Sequence, residues 1–286
     1  MNENAINAEE IEQYLDSQSD FTLEMRVFSH LLSLGFYAEH GGTYSDPVTD
    51  KPRQFDIRCK IANDNEIVKL AVECKALSPQ FPLVIQRVPR IKRESYHELF
   101  WSYKPPKDSF AVGVFNSSKA LRTRFDSNLY PVDDFVGKSS NQIGRKKRGK
   151  NEPELYANDS EIYDKWSQAI ASSHDLSTNS PEDREKMGLD QSLTMIFPVL
   201  VIPELCLWSV DYDNKGKRVT KPVHCNEIDF YIGKRLWKKP QFCASYTVSH
   251  LKVLTINGFE QFAARISSDI NYWRSIFPPT TQLTEN

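Results

Sequence analysis

Apolar residues recur at helical spacing in "FTLEMRVFSHLLSL", residues 21–34, where Leu23, Val27, Leu31 and Leu34 fall on one face. The spacing predicts a helix with Asp20 as its N-cap and Gly35 as its stop. The next stretch, "FYAEHGGTYSD", predicts a short strand near 36–44 that runs into a turn. The period then drops to two. In "FDIRCKI", 55–61, Phe55, Ile57, Cys59 and Ile61 point one way, and Asp56, Arg58 and Lys60 the other. "NDNE" at 63–66 has turn chemistry, and "IVKLAVECKAL", 67–77, completes an antiparallel hairpin. On that second strand Val72, Cys74 and Ala76 share one face; Ala71, Glu73, Lys75 and Leu77 share the other.

Beyond Pro79 the pattern predicts a strand over 81–88, a helix over 93–103 and a strand over 109–115. Residues 136–154 are polar and basic and read as an extended loop. Ser160 caps a predicted helix over 160–176, whose apolar face carries Ile162, Trp166 and Ile170. "LSTNSPEDREKMG" follows as a linker or loop. The unbroken apolar run "LTMIFPVLVIP", 193–203, has strand length and suits the centre of a sheet covered on both faces. The remainder is β-rich, then helical through "NGFEQFAARISSDINYWRSIF", and closes in a tail, 279–286, expected to be disordered. No internal repeat or long low-complexity segment is present.

Composition narrows the class. Hydrophobic residues at 40% and charged residues at 26% describe an ordinary soluble globular chain. Its 286 residues suffice for one large domain or two small ones. A net charge of −2 means that any nucleic-acid surface must be local. No apolar run reaches the ~18 residues of a membrane span, and "MNENAINAEE" lacks the pattern of a secretory signal. The five cysteines are widely spaced and read as reduced thiols of a cytoplasmic protein. Cys225 with His224, Cys243 and His250 match no standard zinc spacing.

The candidate chemistry lies in the hairpin. "LAVECKAL" carries Glu73 and Lys75 on one face of an otherwise apolar run, and Asp56 stands on the partner strand. Glu24, four and seven residues before Phe28 and Leu31, is expected to point inward from the first helix. An acid on a helix, an acid on a strand, then acid-x-lysine on the adjacent strand resembles the PD-(D/E)XK nuclease superfamily, the restriction-endonuclease-like fold. Asp56 and Glu73-Cys74-Lys75 match its motif, with Phe55 in place of the proline, and Glu24 takes the place of its first-helix acid.

The resemblance implies an α/β fold with a mixed sheet and an αβββαβ core over 21–205. That core uses helix 21–34, strands near 36–44, 54–61 and 67–77, helix 160–176 and strand 193–203. A long insertion falls at about 78–158, a polar segment at 1–20 and a β-rich extension of the same domain at 206–278. The implied activity is a Mg²⁺-dependent endonuclease acting on DNA, with Mn²⁺ able to substitute. Asp56, Glu73, Glu24 and the backbone carbonyl of Cys74 would be the metal ligands. Hard oxygen donors suit such a cation, which neutralises phosphate charge and activates water. Lys75 would orient or help deprotonate that water and favour the transition state.

For substrate binding, "GRKKRGK" offers Arg145, Lys146, Lys147, Arg148 and Lys150, either as a phosphate-contacting arm or as a solvated loop. Some nucleases of the superfamily place a polar residue from the helix after the E-x-K strand near the metal; Gln168 is that candidate, and Gln142 a second polar one. Trp208, Trp237 and Trp273 are either core or base-stacking residues. Many nucleases of this fold are dimers, so a homodimer is an expected assembly. "VGKSS" lacks the upstream glycine of an ATP-binding loop, so a motor or targeting function would belong to a partner protein. Defence against foreign DNA is the expected setting, with repair as an alternative. A catalytically silent nucleic-acid- or partner-binding subunit of the same fold is the competing reading.

Overall fold

A computed structural model of the chain describes residues 5–47, 49–104, 118–146, 154–233 and 247–285. Helix α1 (Ala8–Gln18) occupies the N-terminal polar segment, closed at its start by a capping box between Asn7 and Glu10. Helix α2 (Phe21–Ser33) begins at Asp20 as expected. It ends through Gly35, at φ +83°, with the Phe36 amide donating to the Leu31 carbonyl. Strands β1 (Tyr37–Ser45), β2 (Pro52–Asn63) and β3 (Glu66–Cys74) form an antiparallel meander.

The segment expected as an insertion carries β4 (Leu83–Pro89), β5 (Glu98–Tyr103), β6 (Ser118–Thr123), β7 (Phe135–Lys146) and β8 (Glu154–Ala157). Helices α3 (Ser160–Thr178) and α4 (Ser180–Lys186) follow, then strand β9 (Gln191–Ile202). The C-terminal part contains β10 (Leu207–Asp211), β11 (Val223–His224), β12 (Glu227–Tyr231), β13 (His250–Thr255), α5 (Ile256–Ser268), α6 (Ile270–Ile276) and β14 (Leu283–Glu285).

All fourteen strands of the described residues join one mixed sheet. Its main path runs β1-β2-β3-β9-β13-β12-β7-β4-β10-β11. Strand β9 lies parallel to both β3 and β13, and its last nine residues are buried without interruption. With β4–β8 set aside, α2, β1, β2, β3, α3 and β9 fall where the sequence places a helix, three strands, a helix and a strand. Leu23, Val27 and Leu31 of α2 pack with Ile57, Cys59, Leu70, Val72 and Cys74 on one face. Helix α3 covers the opposite face, with Ile162 and Ala169 against Leu200 and Ile170 against Phe100 and Ile196.

Several expectations are corrected. The helix predicted over 93–103 is strand β5 with a short 3-10 turn before it. Its run Glu98–Phe100 is buried throughout, and pairing to β9 and β6 sets its strand conformation. The loop predicted over 136–154 contains β7, held by its ladder with β4 rather than by apolar alternation. Gly137 admits the close approach of Ile85 and Phe230, where a Cβ would fall 2.8 Å from each. The linker after α3 folds as α4, and the tail pairs as β14 with β6. The strand predicted over 109–115 lies outside the described residues. Phe55 leaves the main core to pack with Tyr44 and Ala171 of α3. Gly42 makes the room: a Cβ there would stand 2.5 Å from the Phe55 ring.

Charged residues line the α3 face of the hairpin. Lys69, fully buried on β3, meets Asp183 of α4 at 2.5 Å and the Leu176 carbonyl at 3.1 Å. Asp183 also takes Lys60 at 2.6 Å, and Asp175 takes Arg58 at 2.9 Å. The lysines outweigh burial and hold the Asp183 carboxyl below its ordinary range. Among the described residues no helix is long and apolar enough to cross a membrane.

Candidate active site

The β2–β3 ladder ends at the pair Ile57–Val72, whose side chains enter the α2 core. One step further, Asp56 and Glu73 therefore emerge together on the α3 face. Beyond the ladder, the Cys74 amide loses its strand partner and donates to Asp56 Oδ2 at 2.8 Å. Glu73 is fully buried; neither carboxylate oxygen meets ordinary hydrogen-bond geometry, and the side chain and backbone of Asp56 are its hydrogen-bonding neighbours.

A residue that sequence reasoning missed completes the group. Lys165 of α3 places its Nζ 2.9 Å from Asp56 Oδ2, 3.5 Å from Glu73 Oε2 and 3.9 Å from Asp20 Oδ2. Asp20 is the second such residue. Its predicted place as N-cap of α2 holds, yet its side chain caps nothing in its own helix. Instead Asp20 Oδ1 accepts from the Ala76 amide at 2.5 Å, just past the end of β3. Lys75 also reaches Asp20 Oδ2, at 3.8 Å. Asp20 is thus the α2 acid that joins the Asp56–Glu73 group.

Glu24, one turn later, accepts from or shares a proton with His40 Nε2 at 2.8 Å. Burial first, then Asp56 and the Glu24 charge, push the Cys74 thiol well above its ordinary range. Gln168 lies one turn beyond Lys165, and its backbone carbonyl accepts from the Tyr44 hydroxyl at 3.4 Å. Gln142 is elsewhere, on β7, donating to Asp159 and to the Phe81 carbonyl. Arg145 and Lys146 are exposed at the end of β7, where it pairs with β8. Lys147, Arg148 and Lys150 lie outside the described residues, as do Cys243 and Trp237. Trp273 is buried core, its indole donating to Glu66.

The electrostatics follow from burial and from a shortage of cations. Burial, then the neighbouring Asp56, push the Glu73 carboxyl well above its ordinary range, and Lys165 only partly opposes them. Burial works against the Lys165 ammonium, but Asp56 and Glu73 outweigh it and hold its pKa above the usual lysine value. Asp20, Asp56 and Glu73 are the carboxylates in contact with Lys75 and Lys165, three acids to two ammoniums, while Glu24 is bonded to His40.

Among the described residues no three His, Cys, Asp or Glu side chains are gathered as a ready-made metal site. Here the carboxylates converge on an ammonium. The donor chemistry still fits a hard divalent cation: two carboxylates from adjacent strands, one with both oxygens buried and outside ordinary hydrogen-bond geometry. Along the same face a cleft of about 460 Å³ is lined by Arg58, Lys60, Lys69, Asp183 and Lys186, whose cations are already paired to Asp175, Asp183 and Glu182. Compared with family models, curated proteins and solved structures, the chain matches none.

Proposed function

We propose that the chain is a metal-dependent endonuclease that hydrolyses phosphodiester bonds in DNA. The observation that carries this reading is Asp56 and Glu73 side by side where the β2–β3 ladder stops, with Glu73 buried, its one close cation Lys165, and its oxygens outside hydrogen-bond geometry. A carboxylate is rarely left that way unless something binds it. Asp56 and Glu73 would hold Mg²⁺ or Mn²⁺, with Asp20 or Glu24 completing the donor set from α2. When bound, such a cation neutralises phosphate charge and lowers the pKa of a water. Lys75 and Lys165 supply positive charge beside the carboxylates, suited to a phosphate that gains negative charge in the transition state.

Exposed Arg145 and Lys146 begin the basic run 144–150, which favours a polyanionic substrate. Assembly as a homodimer, a partner supplying ATPase or targeting function, a cytoplasmic setting and a role in defence against foreign DNA belong to the same proposal.

The second reading is a catalytically silent subunit of the same fold. The ammonium between the two carboxylates favours it. Incubation of supercoiled plasmid, linear duplex and single-stranded DNA with Mg²⁺ or Mn²⁺ separates the two. The nuclease reading expects metal-dependent cutting that is lost in Asp56→Ala and Lys75→Ala. Intact DNA throughout, with no Mn²⁺ binding by calorimetry, would favour the silent subunit.

A further inference from the structure

Lys165 contacts the same two carboxylates that would hold a divalent cation. Its Nζ spans Asp56 at 2.9 Å and Glu73 at 3.5 Å. Glu73 receives charge compensation from it but no hydrogen bond. The Lys165 side chain is 19% exposed, so its ammonium sits at the edge of the site, on a flexible four-carbon stem. Two cations cannot share the same two carboxylates at contact distance. Their repulsion there exceeds thermal energy several-fold even in a polarisable surrounding.

We propose that Lys165 is a built-in competitor of the metal: its ammonium holds Asp56 and Glu73 together in the metal-free protein, leaves them when a divalent cation binds, and then meets the substrate phosphate. This rests on the nuclease reading of the site. Metal binding is then an exchange of one cation for another. Its affinity is lower than the carboxylates alone would give. A nearby phosphate receives the displaced ammonium, so metal and nucleic acid strengthen each other's binding, and by linkage they do so equally. A resting enzyme of this kind holds metal weakly until DNA is present.

The proposal is tested by Mn²⁺ titration calorimetry on wild type, Lys165→Met, Lys165→Arg and Asp56→Ala. Lys165→Met is expected to bind Mn²⁺ about tenfold more tightly than wild type or better, and to cut DNA more slowly. Lys165→Arg, which keeps the charge, is expected to stay close to wild type in affinity. Equal or weaker Mn²⁺ binding by Lys165→Met would overturn the proposal.

A measurement on the unaltered protein guards against a variant that fails to fold. Lysine-directed labelling read by mass spectrometry is expected to increase at Lys165 when Mn²⁺ is added; unchanged or reduced labelling there contradicts displacement. Failure of the underlying reading looks different: Mn²⁺ binding would be absent from both wild type and Lys165→Met, or insensitive to Asp56→Ala.

Discussion

Glu73→Gln should make the metal-free protein more stable. Glu73 is fully buried, and the single Lys165 charge is shared between it and Asp56. One ammonium cannot compensate two carboxylates, so the ionised Glu73 carries an unrecovered desolvation cost. Replacing a poorly compensated buried ion by a neutral group of the same shape is worth about 1–3 kcal/mol. The pH dependence has a definite sign. The Glu73 carboxyl titrates well above its ordinary range when folded, because burial and Asp56 disfavour its charge. Below about pH 4, the ordinary glutamate value, folded and unfolded states are both protonated and the penalty is absent. As pH rises toward the folded pKa the unfolded state alone ionises, and wild-type stability falls.

Chemical denaturation in the presence of a chelator, at pH 5 and pH 8, measures the difference. Glu73→Gln is expected to exceed wild type by more at pH 8 than at pH 5. A variant less stable than wild type by the same amount at both pH values would refute the reasoning. It would mean that Glu73 is an ordinary structural carboxylate satisfied by its neighbours.

Asp183→Asn removes the partner of the buried Lys69 and of Lys60. It should cost about 3–5 kcal/mol in denaturant unfolding at pH 7. Because the Asp183 carboxyl is held below its ordinary range, that contribution is present above about pH 4 and fades as pH falls through the folded pKa. Asp20→Asn should slow Mn²⁺-dependent cleavage by about 10²-fold or more, and Glu24→Gln by clearly less. Asp20 contacts Lys165, Lys75 and the chain after β3, whereas Glu24 is bonded to His40; initial rates on plasmid decide between them. Gly42→Ala drives a Cβ into the Phe55 ring and should lower stability by about 1–3 kcal/mol, visible as a reduced thermal midpoint.

Much of the core was legible because its periods are clean. Leu23, Val27 and Leu31 at helical spacing, and the alternation from Ile57 to Cys59, correctly assigned the α2 core and exposed Asp56 and Glu73 as the odd polar members. The strand character of β7 was hidden because its residues are polar and half-buried, with pairing to β4 fixing them. β5 was misread because a buried run of aromatic residues has no period of its own. Lys165 was illegible as a site residue because it lies 109 residues from Asp56 in the chain and only the packing of α3 unites them. One signal was available. Lys165 adjoins Trp166 and follows Ile162 by one turn, which puts a cation on the flank of the helix's apolar stripe. Asp20 was read as a cap because caps are local, whereas its bond to Ala76 spans 56 residues.

The most direct test of the central claim is conversion of supercoiled plasmid by wild type and Glu73→Gln, purified side by side and assayed with Mg²⁺ and with chelator. The account predicts nicking or linearisation by wild type with Mg²⁺ alone, and none by Glu73→Gln although that variant is folded and more stable. Equal cutting by both proteins would contradict the assignment of Glu73 to the catalytic centre, and intact plasmid in every lane would contradict autonomous nuclease activity.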